Sequence, residues 1–154
     1  MTNYTRNCRY DAAISLAQEW LKVHPEDVSH APLMYGQIAF IYLSKAIKDR
    51  AHEDKWVQLA VAYFDRELSA FHPTPPDVEL YEAGRGLEAA GRLSPGNSCE
   101  YFGRAVKAFE DEAPFVQGDT FTAYGKTIEL APIRQDIEKS LKRTKAEFAK
   151  AGCK

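Results

Sequence analysis

The stretch HPTPPDVELYEAGRGLEAAG, residues 72–91, decides the fold class of this chain. Its prolines, Pro73, Pro75 and Pro76, end one helix and fix the start of the next, because proline cannot continue a helix but is tolerated at its beginning. Apolar and small residues then recur at helical spacing, with Asp77 as the expected N-cap. The stretch is therefore the junction between two helices.

The same junction occurs three times along the chain. In each copy a glycine follows a proline by 11 residues: Pro25 and Gly36 (36−25), Pro73 and Gly84 (84−73), Pro114 and Gly125 (125−114). Three copies of one helix–turn–helix junction predict a helical repeat protein. Repeats of this kind stack on their neighbours and leave an extended concave surface for partners.

The overall composition is that of an ordinary globular protein. The chain has 154 residues, of which 45% are hydrophobic and 27% are charged, with a formal net charge of −2 at pH 7. This length predicts a single domain over residues 1–154. The near-neutral charge gives no overall reason to expect nucleic acid or an anionic membrane as partner. No apolar run approaches the roughly 20 residues that cross a bilayer, and the Met start lacks a secretory signal, so we expect a cytoplasmic protein.

The residues that could carry chemistry show no recognisable arrangement. Cys8, Cys99 and Cys153 have no metal-ligand spacing, so we expect ordinary thiols in a reducing compartment, with a disulfide or redox role as the alternative. The histidines also lack ligand spacing, and the sequence has no phosphate-binding loop or nucleophile motif. We therefore predict no catalytic residues, no metal and no cofactor.

Helical periodicity predicts about seven helices. A first helix covers residues 10–24, and three helix pairs follow over 32–72, 77–113 and 119–150. Gly36 inside the second helix costs roughly 1 kcal/mol relative to alanine, which the close approach of a partner helix can offset. No segment alternates convincingly with period two, so we expect no sheet.

The order of these elements resembles the tetratricopeptide repeat family. The residues that match the first and then the second half of one copy are Leu80, Ala83, Gly84, Leu87 and Gly91, followed by Ala105, Phe109 and Pro114. The spacing from proline to proline is 48 residues (73−25) and then 41 (114−73), against roughly 34 in the family, so the repeats are degenerate. The resemblance implies an all-α, right-handed α-solenoid of antiparallel helix pairs, with a HEAT-like or other two-helix array as the alternative.

The resemblance also implies a concave groove lined by the first helix of each pair. Tyr35-Gly36 and Tyr124-Gly125 both match the core of a first helix, so positions around each glycine can be carried over. The implied groove residues are Leu33, Gln37 and Phe40, then Tyr81, Arg85 and Glu88, then Thr122, Lys126 and Glu129. For each of them the alternative is a solvated side chain or one that packs between repeats. This groove has no Asn, so we do not predict the family's carboxylate clamp for chaperone tails.

We expect a non-catalytic scaffold or adaptor that binds a peptide or partner helix on this concave face. The alternative is nucleic-acid or acidic-partner binding through the last helix, because residues 134–154 carry seven Lys or Arg against three acids. A capping helix often has such a polar outer face, so we do not expect nucleic acid as the main partner. No first helix precedes Tyr10, and Trp20 and Leu21 at this open end suggest self-association.

Overall fold

The computed structural model describes residues 9–70, 79–123 and 125–154, and 81% of these residues are helical. Within these ranges lie six α-helices: α1 (Tyr10–Val23), α2 (Ala31–Lys48), α3 (Glu53–Ala70), α4 (Glu79–Leu93), α5 (Ser98–Glu112) and α6 (Leu130–Lys150). Two strands, β1 (Thr120–Ala123) and β2 (Lys126–Glu129), precede α6. The predicted predominance of helix is confirmed. The N-cap expected at Asp77 lies outside the described residues.

Helix α2 shows how local sequence sets an element. Pro32 lies in its first turn, where the missing N–H of proline costs no helical hydrogen bond. Lys45 and Lys48 lie in its last turn, where cations interact favourably with the helix dipole. As its nearly all-round apolar pattern predicts, α2 is sandwiched between α1, α3 and α4. Neither α2 nor any other helix of the described chain combines the length and apolarity that crossing a membrane would need.

The helices pack in chain order. Helix α2 packs most extensively against α3, and α4 against α5, which gives two helix pairs. Helix α4 also contacts both α2 and α3, whereas α6 packs mainly on α5 and makes few contacts with α4. The predicted packing of adjacent helix pairs is therefore confirmed.

The close approach expected at Gly36 is present. A Cβ atom at this position would lie 2.5 Å from Oε1 of Glu67 in α3. A Cβ atom at Gly86 in α4 would lie even closer to the ring of Phe64 in α3. These contacts allow α3 to lie against both α2 and α4 at short distance.

A matching pair of buried residues marks the second helix of each pair. Phe64 and Glu67 in α3 recur as Phe109 and Glu112 in α5, 45 residues further on (109−64, 112−67), and all four side chains are fully buried. The second helices α3 and α5 are thus offset by 45 residues, whereas Gly36 and Gly84 in the first helices are 48 residues apart (84−36).

The helix predicted at the start of 119–150 is wrong, because β1 and β2 form an antiparallel hairpin there. Phe121 pairs with Ile128 and Thr122 with Thr127. Gly125 has a φ of +71°, a left-handed conformation that glycine adopts without steric cost and that a tight turn requires. The prediction of no sheet is wrong for the same reason.

The expectation of ordinary thiols is wrong for two of the three cysteines. Cys99, in the first turn of α5, forms a disulfide with Cys153, which follows α6, and their Cα atoms are 5.4 Å apart. The bond ties the C-terminal end of α6 to the beginning of α5. Cys8 lies outside the described residues.

Candidate functional site

The residues of the implied groove lie on three parts of the fold. In chain order these are Leu33, Gln37 and Phe40 on α2, then Tyr81, Arg85 and Glu88 on α4, and then Thr122, Lys126 and Glu129 on the hairpin. The third set lies on strands, whereas the resemblance implies a helix at this position. The implied groove is therefore wrong for Thr122, Lys126 and Glu129.

The α2 residues belong to a longer surface, which we call the α2 stripe: Leu33, Gln37, Phe40, Ser44 and Ile47. The side chains of Leu33, Phe40 and Ile47 are 37%, 36% and 59% exposed. They are spaced by seven residues (40−33, 47−40), which places them in line along one face of the helix. Large apolar side chains that are exposed in line in this way make the stripe a candidate interaction surface.

The α2 stripe is supported from behind by the core. The ring of Phe40 meets the buried ring of Phe64 edge to face, with centroids 5.2 Å apart. The Ser44 hydroxyl donates a hydrogen bond to the Phe40 carbonyl at 3.0 Å, which leaves Gln37 as the polar side chain in the middle of the stripe. The family resemblance implies Leu33, Gln37 and Phe40 as groove residues but not Ile47. The seven-residue spacing in the sequence also points to Ile47.

Glu88 does not face a groove. It is only 2% exposed, and its carboxylate accepts hydrogen bonds from Arg143 Nε at 2.6 Å and Nη2 at 2.8 Å. Arg92 Nη2 donates to the same carboxylate at 2.5 Å, and Arg92 Nε donates to Glu147 at 2.8 Å. We call these four residues the Glu88 clasp. The clasp joins α4 to α6.

Tyr81 makes a further contact between the same two helices. Its hydroxyl donates to Asp136 Oδ2 at 3.0 Å, and burial together with this hydrogen bond raises the pKa of Tyr81. The contacts Tyr81–Asp136, Glu88–Arg143 and Arg92–Glu147 all join residues 55 positions apart. A constant offset means that α6 runs parallel to α4. Tyr81 and Glu88 therefore pack between α4 and α6, while Arg85 stays exposed.

The electrostatics of Glu88 are set by two opposing effects. Burial raises the pKa of this carboxyl, but the Arg143 hydrogen bond and the charges of Arg92 and Arg143 outweigh burial, so the pKa lies below its ordinary value of 4.5. A carboxylate with a lowered folded-state pKa contributes stability above its unfolded pKa and loses it as the pH falls through the folded pKa.

We therefore expect acid to weaken the contact between α4 and α6. Glu88→Gln should lower the urea midpoint at pH 7, and its difference from the wild type should shrink as the pH falls from about 6 to about 3. Far-UV circular dichroism during urea unfolding measures both. Glu110→Gln is the control, because the Glu110–Lys145 pair is exposed and its loss should have little effect at any pH. A difference for Glu88→Gln that stays constant with pH would contradict the assigned role.

The hairpin residues point to two sides. The register places Thr122 and Glu129 on one face, where the Thr122 and Thr127 hydroxyls are 3.2 Å apart. Lys126 lies on the other face with Phe121 and Ile128. Phe121 packs partly against the core, whereas every residue of β2 is exposed. The three hairpin residues of the implied groove are thus not brought together on one surface.

The basic surplus of the last helix is partly used within the chain. Arg143 binds Glu88, Lys145 pairs with Glu110 at 2.7 Å, and Arg134 donates to the carbonyl groups of Val116 at 2.6 Å and Gly118 at 3.2 Å. Three of the seven cations between residues 134 and 154 therefore have structural partners. This use of charge weakens the case for a nucleic-acid surface on α6.

A cleft of about 630 Å³ lies between three helices: the end of α3, the start of α4 and the C-terminal half of α5. Leu68, Leu80, Ala108 and Phe115 supply apolar lining. Among the charged residues that line it, Lys107 pairs with Asp111 at 2.7 Å, and Arg104 bonds to Asp65 of α3. The cleft thus offers apolar contact, with charges that already have partners.

The N-terminal end exposes apolar side chains on α1. The Trp20 ring stacks on His24 with centroids 4.6 Å apart, and Leu21 packs partly against the core. Leu16 and Val23 are the exposed ones. Self-association through this end stays a prediction.

Comparisons with known proteins do not place the chain in a family. No protein-family model, no curated protein and no solved structure matches it. Among the residues that the structure describes, no group of three or more His, Cys, Asp or Glu is arranged to hold a metal ion. Any account of function therefore depends on the surfaces described above.

Proposed function

We propose that this chain is a tetratricopeptide-like helical repeat protein with a non-catalytic role, and that it binds a peptide or helix of a protein partner along the α2 stripe. The exposed line of Leu33, Phe40 and Ile47 carries the proposal. Packing in chain order, the 45-residue offset and the parallel course of α4 and α6 support the repeat architecture. The binding surface is narrower than the implied groove, because Tyr81 and Glu88 are engaged with α6.

The stripe favours an amphipathic helix as the bound segment. From Leu33 to Ile47 the helix rises about 21 Å, which a partner of about four turns would match. A partner with apolar residues at the same seven-residue spacing would form a continuous apolar seam with α2. Gln37, in the middle of the stripe, would take a polar side chain of the partner.

The test places a photo-crosslinking amino acid at Gln37, with the same amino acid at the exposed Gln58 on α3 as control. We expect a protein crosslinked from position 37 and absent from position 58. The double variant Leu33→Asp, Ile47→Asp should abolish this crosslink, because two buried carboxylates would disrupt an apolar seam. Both substituted side chains are exposed, so the melting temperature should change little.

The matched control applies the same change elsewhere. Leu16→Asp with Val23→Asp adds two carboxylates to exposed apolar positions of α1 and should leave the crosslink intact. Equal crosslinking from positions 37 and 58, or loss of the crosslink in both double variants, would show that the stripe is not the binding surface. Loss only in the α1 variant would move the binding surface to the N-terminal end.

We keep the cytoplasm as the proposed compartment. Disulfides in cytoplasmic proteins are usually transient or redox-sensing, so the Cys99–Cys153 bond would form there only under oxidising conditions. Detection of the bond in protein alkylated inside intact cells would decide how much of the chain is oxidised.

A further inference from the structure

The two halves of α6 are held by different chemistry. The N-terminal half buries the apolar side chains of Leu130 and Ile137. In the C-terminal half the buried residues are Ser140 and Thr144, which are polar, while Leu141 and Phe148 are only partly buried. The C-terminal half therefore gains less from the hydrophobic effect than the N-terminal half does.

The other contacts of the C-terminal half are ion pairs and one covalent bond. Arg143 and Glu147 belong to the Glu88 clasp, and the Cys99–Cys153 disulfide fixes the residues that follow the helix. The attraction within a buried ion pair is largely offset by the cost of removing its charges from water. Arg92 and Arg143 are themselves about half exposed, which screens the clasp further. Without the disulfide, docking of this half is therefore marginal.

The disulfide is placed where a reductant can reach it. Cys99 is exposed and Cys153 is partly exposed. Cys99 lies in the first turn of α5, where the helix N-terminus stabilises a negative charge on sulfur. A sulfur that is stabilised as a thiolate is a good leaving group in thiol–disulfide exchange. The covalent restraint on α6 thus lies at an accessible and cleavable position.

We propose that the Cys99–Cys153 bond is a redox latch that keeps the C-terminal half of α6 docked on α4 and α5. Reduction by a dithiol releases residues 140–150 and uncovers the Glu88 carboxylate, while the apolar N-terminal half of α6 stays in place. This inference goes beyond the proposed function and does not depend on it.

The chemistry of opening balances with a dithiol as the reductant. Its first thiolate attacks the sulfur of Cys153, the S–S bond breaks, and the electron pair leaves on the sulfur of Cys99. The second thiolate then displaces Cys153 from the mixed disulfide. The dithiol departs as a cyclic disulfide, and its two protons end on the Cys99 and Cys153 thiols.

Hydrogen exchange on the full chain tests the latch, with Cys8→Ser in every sample to prevent exchange with the third cysteine. Reduction with dithiothreitol should lower the protection of amides 140–150 by about tenfold or more, and leave α2 and α3 unchanged. The variant Cys99→Ser, Cys153→Ser should reproduce the reduced pattern without reductant.

Two results would overturn the proposal. If amides 140–150 keep their protection after reduction, the disulfide is a passive crosslink on a helix that is stable without it. If α2 and α3 lose protection to the same extent as α6, the bond supports the whole fold and does not act as a latch. No partner takes part in the experiment, so its outcome does not depend on whether the α2 stripe binds one.

Discussion

Gly86→Ala should lower the melting temperature by about 10 °C, although it adds a single methyl group. A Cβ atom at Gly86 would overlap the ring of Phe64, which is fully buried and also meets Phe40. The ring cannot rotate away without displacing its neighbours in a close-packed core. Overpacking of this kind costs up to about 3 kcal/mol, and a protein of this size loses about 3 °C for each kcal/mol. Differential scanning calorimetry measures the shift.

The control is the same substitution in another helix. A Cβ at Gly103 in α5 has only Phe148 within 4 Å, at an ordinary contact distance of 3.5 Å. Since alanine is the better helix former by roughly 1 kcal/mol, Gly103→Ala should melt at the wild-type temperature or above it. Phe64→Leu should lower the melting temperature less in the Gly86→Ala variant than in the wild type, because the smaller side chain relieves the overlap with the added methyl group. Similar melting of the two glycine variants would show that α3 and α4 do not approach closely at Gly86.

The second large effect is expected at Arg143. Arg143→Met removes the bidentate partner of Glu88 and leaves the buried carboxylate with Arg92 and Thr144. Loss of one partner from a buried ion pair is strongly destabilising, by about 3 kcal/mol. Lys142→Met is the matched control, because Lys142 is the exposed neighbour of Arg143 on the same helix. Urea unfolding of the oxidised protein should separate the two variants clearly.

A compensating variant distinguishes loss of the pair from general damage to α6. Replacing a buried ion pair by apolar residues of similar size is often nearly neutral, so Glu88→Leu combined with Arg143→Met should recover most of the lost stability. If Arg143→Met behaves like Lys142→Met, the clasp does not stabilise the fold. Because Arg143 is structural, nucleic-acid binding by α6 should be probed by charge reversal at Lys139 and Lys142.

Sequence reasoning succeeded where a local pattern determines the outcome. Helical spacing predicts α1 to α5, the nearly all-round apolar pattern of α2 predicts its sandwiched position, and the cost of a helical glycine predicts the close approach at Gly36. The family resemblance also points to Leu33, Gln37 and Phe40, whose role in binding stays a prediction. In these cases the deciding information lies within one or two turns of a helix.

The sequence does not predict the hairpin, because the pair Tyr124-Gly125 has the same residues as Tyr35-Gly36, which lies in a helix. Gly36 lies within α2, whereas Gly125 adopts a left-handed conformation between two strands. The flanking segments 120–123 and 126–129 hold Thr, Phe and Ile, which favour strands, and this signal was outweighed by the repeat pattern. Glycine alone does not distinguish a tight helix contact from a turn.

The partners of Tyr81 and Glu88 could not be predicted in the same way. Their contacts lie 55 residues away on α6, so they depend on how the helices stack rather than on local spacing. Nor does cysteine spacing alone identify a pairing, since Cys99 and Cys153 meet only because α6 returns along α5. Long-range pairing is therefore the part of the site that required the structure.

The Cys99–Cys153 bond also changes what a protease could do to this molecule. It closes residues 99–153 into a covalent ring, and the exposed strand β2, with Lys126, lies inside that ring. A single backbone cut after Lys126 would open the ring without dividing the chain, since the downstream piece would remain attached through two sulfur atoms. Proteolysis there would release a fragment only after the bond had also been reduced.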